Sequence, residues 1–388
     1  MLDKKPRLLR ITTVPISLHL LLKGQPQFMM KNGFEVLTVS ADGKELAAIH
    51  NAGIPHQIIN LTRKISPVAD LFALWKMIQL IKSFKPDIVH THTPKAGLIG
   101  MMAAWICRVP IRLHTVAGLP VMEAQGIKRS LLILTEKITC FCANNVYPNS
   151  NGLMTYMVNN FKSFKHKFKV LGKGSTNGII TNHYTLTPEL SELAVQLKSK
   201  YNILPSDFIF CFIGRLVGDK GINELINVFD TLSQKYNCKL LLVGMQEPEL
   251  DPLSAACLEI IQNNKEIISL GYQDDVRVAL AASNAFVFPS YREGFPNVVM
   301  QAQSMGVPCI VSDINGCNEL VTNNVSGLIV PVKNETALNE AMTKLINNTE
   351  ICKSFATIAR ENILQHYEQA QVWNYILNEY KQLLNKNL

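Results

Sequence analysis

Residues 288–320, FPSYREGFPNVVMQAQSMGVPCIVSDINGCNEL, pass from a strand through a turn and a helix into a second strand. Val287, Phe288 and the apolar residues before them read as a buried strand end. Arg292-Glu293-Gly294-Phe295-Pro296 is a turn that sets Pro296 at or near the first helical position, where no N–H is needed. The free N–H groups of such a helix start suit an anion. Gly306-Val307-Pro308 closes the helix, Cys309-Ile310-Val311 is the next strand and Ile314-Asn315-Gly316 is a loop.

The same alternation extends along the chain. Apolar runs at 8–13, 34–40, 57–59, 88–91 and 111–115, then at 208–213, 239–243, 267–270, 285–288 and 309–311, predict strands with helical patterns between them. One helix is predicted over 68–84, with Leu71, Leu74, Trp75, Ile78 and Ile81 on one face and a stop at Lys85-Pro86. The fold class is therefore α/β, built on parallel doubly wound sheets. At 388 residues the chain exceeds what one core serves. A Thr/Pro/Glu-containing stretch near 184–204 suggests domains at 1–185 and 186–368, followed by a C-terminal segment at 369–388. Apolar residues at helical spacing from Phe355 to Leu384 predict two amphipathic helices there.

Composition narrows the setting. Nine cysteines, an odd number without CxxC spacing and mostly in apolar runs, point to core thiols in a reducing compartment. Residues 1–24 carry basic residues before an apolar run, but Pro15 and His19 interrupt it and Lys23-Gly24-Gln25 follows it, so it reads as a strand and loop. The apolar run at 96–107 is too short to cross a bilayer. The net charge of +8 is uneven: residues 1–185 hold 23 Lys and Arg against 8 Asp and Glu, net +15, and residues 186–388 hold 15 against 22, net −7. A basic half favours a polyanion, either nucleic acid or an anionic membrane face. Phe161-Lys162-Ser163-Phe164-Lys165-His166-Lys167-Phe168-Lys169 suits either one or a plain solvated loop. The acidic half argues against nucleic acid.

Several loops carry chemistry. Gly214-Arg215-Leu216-Val217-Gly218-Asp219-Lys220-Gly221 follows a strand and opens a helix, so Arg215 and Lys220 are placed to clasp a diphosphate; the spacing is neither a P-loop nor GxGxxG. Gly271-Tyr272-Gln273-Asp274-Asp275-Val276 also follows a strand, with Asp274 or Asp275 a candidate N-cap. Val243-Gly244 and Glu247-Pro248-Glu249 form a candidate neighbouring wall. In the basic half, His90-Thr91-His92-Thr93-Pro94-Lys95 and Arg112-Leu113-His114 each end a strand. The HxH pair lacks a carboxylate or Cys cluster beside it, so no metal site is expected. Glu123 lies in a loop that follows Gly118.

These motifs resemble those of retaining glycosyltransferases of the GT-B type, family 4, whose signature is a Glu, seven residues and a second Glu. Glu293 holds the first position and Gln301 the second. Gln301 keeps an acceptor oxygen for a ribose hydroxyl but not the charge. The resemblance, strongest to bacterial enzymes that build capsular or O-antigen polysaccharides, implies two Rossmann-like domains facing a cleft and a final helix crossing back to the first. It assigns Arg215 and Lys220 to the diphosphate and Glu293 to the donor sugar. Gly214, Gly294, Phe295, Pro296 and Asn297 approach the phosphates, and Tyr272, Gln273 and Val276 face the base. His114 lies near the sugar, with His92, Lys95 and Glu123 on the acceptor side. The family's Gly-rich loop over the phosphates corresponds to residues 15–25, which here hold only Gly24.

The activity implied is retaining hexosyl or N-acetylhexosaminyl transfer from a nucleotide sugar, a UDP-sugar, to a polyprenyl-diphosphate-linked saccharide, with no metal or other cofactor. The protein would work in the cytoplasm, its basic half on the inner face of the membrane. A GT-B sugar-nucleotide epimerase and a catalytically silent sugar-nucleotide binder are the alternatives.

Overall fold

The computed structural model describes residues 5–62, 66–122, 124–249 and 251–387. The chain divides into two compact units, unit 1 holding residues 1–178 and 369–388 and unit 2 residues 179–368.

Unit 1 runs β1 (Arg7–Ile11), α1 (Gln25–Lys31), β2 (Glu35–Ser40), α2 (Leu46–Asn51), β3 (His56–Ile58), α3 (Pro67–Phe84), β4 (Ile88–His92), α4 (Pro94–Ile106), β5 (Ile111–Val116), α5 (Gly126–Cys142), β6 (Asn145–Pro148) and α6 (Asn151–Asn160). Its strands are parallel in the order β3-β2-β1-β4-β5-β6, with Leu8 opposite both Val36 and Ile88. Right-handed crossovers then place α1 and α2 on one face and α3, α4 and α5 on the other. The packing agrees: Leu8, Val36 and Ile88 meet Met29 of α1. Leu9, Ile11 and Val89 meet Met77, Ala103 and Cys140 of α3, α4 and α5.

Unit 2 runs α7 (Pro188–Lys200), β7 (Phe208–Ile213), α8 (Ile222–Ser233), β8 (Cys238–Val243), α9 (Ala255–Asn263), β9 (Ile267–Gly271), α10 (Arg277–Ala282), β10 (Ala285–Phe288), α11 (Asn297–Ser304), β11 (Cys309–Ser312), α12 (Cys317–Leu320), β12 (Gly327–Val330), α13 (Glu335–Asn347) and α14 (Thr349–His366). Its parallel sheet has the order β12-β11-β10-β7-β8-β9. The strands FIFCFI and AFVF are buried at every position, as expected where helices cover both faces of a parallel sheet. Helix starts follow local chemistry. Thr187 caps α7 by accepting from Leu190 N–H with Pro188 behind it, and Ser254 caps α9 from Cys257 N–H. The last helix, α15 (Gln369–Asn387), returns to unit 1. There Val372, Ile376, Leu377 and Tyr380 join Leu8, Met29 and Phe34, each buried apolar side chain adding about 1.5–3 kcal/mol.

Several sequence expectations change. The units divide after residue 178, not 185, because residues 181–184 are bound into unit 2: Thr181 donates to the Glu368 carboxylate and Tyr184 accepts from Gln301. Two short strands, β6 and β12, complete the sheet edges. In α3 the buried stripe is Ala73, Met77 and Ile81, while Leu71 and Trp75 face outward. The small Ala73 is the stripe that can approach α4, whose own buried face is rich in Ala and Gly. Within 161–169, Phe161 and Phe168 are core residues, and the Lys167 ammonium donates to the carbonyls of Cys140, Phe141 and Ala143 at the end of α5. That segment is thus an anchored turn. All nine cysteines are free thiols and seven are buried.

Candidate active site

Ligands of doubly wound sheets sit at the carboxyl ends of the strands where the direction of winding reverses. In unit 2 that point lies between β7 and β10, which pair through Phe210 and Ala285. Residues 214–221 leave the end of β7, and residues 289–296 leave the end of β10. The spacing seen in the sequence therefore brings both motifs to one end of one sheet.

The two loops are tied to each other. Tyr291 N–H donates to the Asp219 carbonyl at 2.9 Å, and the Arg292 guanidinium holds the Asp219 carboxylate, Nε to Oδ2 2.9 Å. Asp219 N–H in turn donates to Asp251 Oδ2 at 2.6 Å. Within this frame Lys220 Nζ lies 2.6 Å from Glu293 Oε1, and the two side chains are only 13% and 19% exposed. Ser290 Oγ donates to the same carboxylate oxygen at 3.3 Å, and the Lys220 ammonium sits 5.9 Å over the Phe288 ring. Arg215 reaches a different carboxylate, Nη1 to Glu247 Oε2 3.4 Å, and is more exposed. The two candidate cations thus each hold an acid, and Glu293 is bonded to the first of the charges a phosphate would seek.

The turn that follows is shaped by close backbone approach. Gly316, after β11, has φ +74°, and a Cβ there would lie 2.6 Å from the Gly294 carbonyl oxygen, so the loop presses directly on the turn. Phe295 is buried with its ring 5.3 Å from Tyr367. Pro296 is the N-cap residue and Asn297 the first residue of α11, one position later than Pro at the first helical position. Gln301, one turn inside α11, donates its Nε2 to Tyr184 Oη at 2.8 Å, which leaves its carbonyl oxygen as the acceptor.

In the loop after β9, Tyr272 is two-thirds exposed and Val276 is the N-cap residue of α10. Gln273 turns its amide back to donate to the Leu270 carbonyl at 2.7 Å. Asp275, one residue before that N-cap, accepts from Arg277 N–H at 3.0 Å and from Arg277 Nε at 2.8 Å, so neither Asp274 nor Asp275 is the N-cap itself. Those hydrogen bonds hold the Asp275 carboxyl below the usual range.

The corresponding point of unit 1 lies between β1 and β4. Thr93, just past β4, has φ +79°, a strained value for a β-branched residue, and its Oγ1 lies 2.7 Å from Thr13 Oγ1. His92 and His114, which the sequence sets at strand ends, are both buried. His92 Nε2 accepts from Arg10 Nη2 at 2.7 Å, and His90 is held by Tyr380 Oη and Thr115 Oγ1, 2.5 and 2.8 Å away. Among the described residues no group of three or more His, Cys, Asp or Glu could hold a metal ion. His114 Nδ1 lies 2.8 Å from Thr91 Oγ1, and burial pushes its imidazole down to about 4, so it is neutral at pH 7. Its ring lies against Gly97, where a Cβ would come within 2.5 Å of Cε1. Lys95 is paired with Asp70 of α3 at 2.5 Å. Glu123 lies outside the described residues.

Three residues of these networks escaped the sequence reading. Arg10 is a fully buried guanidinium whose Nε and Nη1 have no hydrogen-bond partner among the described residues. Its signal was a charge inside an otherwise apolar strand, RLLRI. Ser290 stood beside the Glu293 motif. Tyr184 had no local signal, since only the fold carries it to Gln301.

Comparison with known proteins identifies the family and the fold. Residues 196–362 match the family "Glycosyl transferases group 1" and residues 17–151 match "Glycosyl transferase 4-like". The chain is 35% identical over 386 residues, 99% of each chain, to the capsular polysaccharide biosynthesis glycosyltransferase CapM of Staphylococcus aureus. It is 29% identical over 318 residues, 74% of this chain and 73% of the other, to the Escherichia coli UDP-Gal:alpha-D-GlcNAc-diphosphoundecaprenol alpha-1,3-galactosyltransferase. Among solved structures, HepE of Anabaena in complex with UDP superposes with a TM-score of 0.81 at 19% identity, covering 98% of this chain and 100% of that one. The chain belongs to the glycosyl transferases group 1 family and is a GT-B glycosyltransferase built from two Rossmann-like units.

Proposed function

We propose that the protein transfers a sugar from a UDP-sugar, with retention at the anomeric carbon, to a polyprenyl-diphosphate-linked saccharide in surface polysaccharide synthesis. The observation that carries the reading is the Lys220–Glu293 pair at the winding reversal of unit 2. An incoming diphosphate competes for the Lys220 ammonium and releases the Glu293 carboxylate to the hydroxyls of the donor sugar. Arg215, exchanging Glu247 for the second phosphate, completes the clamp. Charge then builds on the leaving diphosphate as the C1–O bond breaks, and two cations fixed in advance stabilise it without a bound metal. The acceptor hydroxyl attacks from the same face, and its proton passes to the departing phosphate oxygen, so no separate base is needed. Names of relatives support the acceptor class: CapM is a capsular enzyme, and the E. coli relative acts on a diphosphoundecaprenol-linked sugar.

The excess of cations in residues 1–185 supports a working position at an anionic membrane surface, where such an acceptor would reside. Among the described residues no helix is long and apolar enough to cross the membrane. A thermal-shift screen of UDP-, GDP- and dTDP-sugars tests the donor. A shift with a UDP-sugar that Arg215→Ala and Glu293→Gln both abolish is expected. A shift that survives both substitutions overturns the assignment.

A further inference from the structure

The outward surface of α3, α4 and α5 is apolar where that of a water-facing helix is polar. On α3, Val68, Leu71, Phe72 and Trp75 are all exposed, Val68 at 83%, and the Phe72 and Trp75 rings stack 5.8 Å apart. On α4, Leu98 and Met102 are half-buried and lead to exposed Trp105. On α5, Ile127, Leu131, Leu134, Ile138 and Phe141 recur every three or four residues along one stripe. Ile127 is 90% exposed and Phe141 lies 5.8 Å from Trp105. The same helix buries Glu136 and Thr139 beside Cys140 and Cys142, while larger apolar side chains stay outside. Two of the three tryptophans of the chain lie on this surface. All three helices cover one face of the sheet and α4 packs against both α3 and α5, so the stripes lie side by side on one surface of the unit, with Trp105 and Phe141 joining the last two.

Among the described residues of α3, α4 and α5, the exposed charges are all basic. Lys76 and Lys82 of α3, Arg108 after α4, and Lys128, Arg129 and Lys137 of α5 are exposed. The carboxylates on these helices are Asp70, paired with Lys95, and buried Glu136. A second copy of the chain meeting this face about a two-fold axis would set cations against cations. An anionic bilayer meets both parts: phosphates for the cations, and an interface into which Trp, Phe and Leu insert.

We propose that the outer surface of α3, α4 and α5 is the membrane-docking face of this enzyme, its apolar stripes inserted among the acyl chains of anionic lipids and its Lys and Arg residues on their phosphates. This rests on the proposed reading that the acceptor is lipid-linked, and it goes beyond a general attraction of the basic half because it names the face and an insertion. The test is flotation of the full chain with vesicles of phosphatidylcholine alone or of an equimolar mixture with phosphatidylglycerol. Lipid brominated in its acyl chains serves in parallel to quench tryptophan. The wild type is expected to float only with the anionic vesicles and to be quenched. Trp75→Ser combined with Leu134→Ser, and separately Lys128→Glu with Arg129→Glu, should each lower the bound fraction about tenfold while leaving unfolding temperature and nucleotide-sugar binding unchanged. Flotation of the variants like the wild type, absence of flotation, or a solution dimer that Trp75→Ser with Leu134→Ser dissociates would each overturn the proposal. Flotation as expected from a protein that transfers no sugar would instead sink the catalytic reading and leave the docking face standing.

Discussion

The two sheets share one strand order but bury different chemistry. Unit 2 fills its sheet with Phe208, Phe210, Phe212, Phe286 and Phe288, and its candidate charges stand in the loops beyond the strand ends. Unit 1 carries Arg10, His90, His92 and His114 within its strands and leaves apolar side chains on its helical surface. The difference teaches where each unit can respond to a ligand. In unit 2 an apolar platform carries two loops whose ion pairs, on the proposed reading, would be exchanged for phosphate. In unit 1 the polar groups are buried within the strands, Arg10 on His92 and His114 on Thr91, so changes there act through packing and protonation.

The largest effect expected on this contrast comes from unit 2. Lys220→Ala should lower kcat for sugar transfer by about 10²–10³-fold, the usual result of removing one group that stabilises developing charge, and leave the unfolding temperature almost unchanged. A loss of stability in place of activity would make Lys220 a structural residue and erase the distinction between the units. In unit 1 the opposite pattern is expected of Gly97→Ala. Its methyl group would meet the His114 ring, and overpacking of this kind costs about 2 kcal/mol, read by denaturant unfolding.

A pH series sharpens the contrast further. Burial holds His114 at about 4, below its ordinary value near 6.5, and holds His90 and His92 down as well. Between those values the unfolded chain binds protons that the folded chain does not, so stability is full above pH 6.5 and declines as pH falls toward 4. His114 alone should remove about 2 kcal/mol between pH 7 and pH 5. Hydrogen exchange of the full chain should show β4 and β5 opening more readily at pH 5 while β7 and β10 do not. Equal opening in both sheets would contradict it. The smallest effect is expected at Gln301→Glu, where a charged acceptor should tighten donor binding by about 1 kcal/mol, measured by calorimetry. No change would remove Gln301 from the ribose.

Much of this contrast was legible in residue order. The strands of unit 2 are unbroken apolar runs, and the turn around Glu293 announces itself through Gly294 and Pro296. The edge strand NVYP was hidden by its Asn and Pro, and GLIV by its brevity. The buried face of α3 could not be chosen from periodicity, because two neighbouring stripes are apolar and only packing against α4 decides between them. Pairing of Lys220 with Glu293, of Gln301 with Tyr184 and of Arg10 with His92 joins residues 73, 117 and 82 positions apart. Spacing along a chain carries no trace of such contacts; the order of strands creates them.

The central claim is that unit 2 receives the diphosphate between the loop after β7 and the turn before α11. Hydrogen exchange of the wild-type protein, with UDP-, GDP- and dTDP-sugars added in turn, tests it most directly. The account predicts that a UDP-sugar slows exchange at residues 214–221 and 290–301 together. Slowing by none of the three, or slowing confined to other segments, would contradict it.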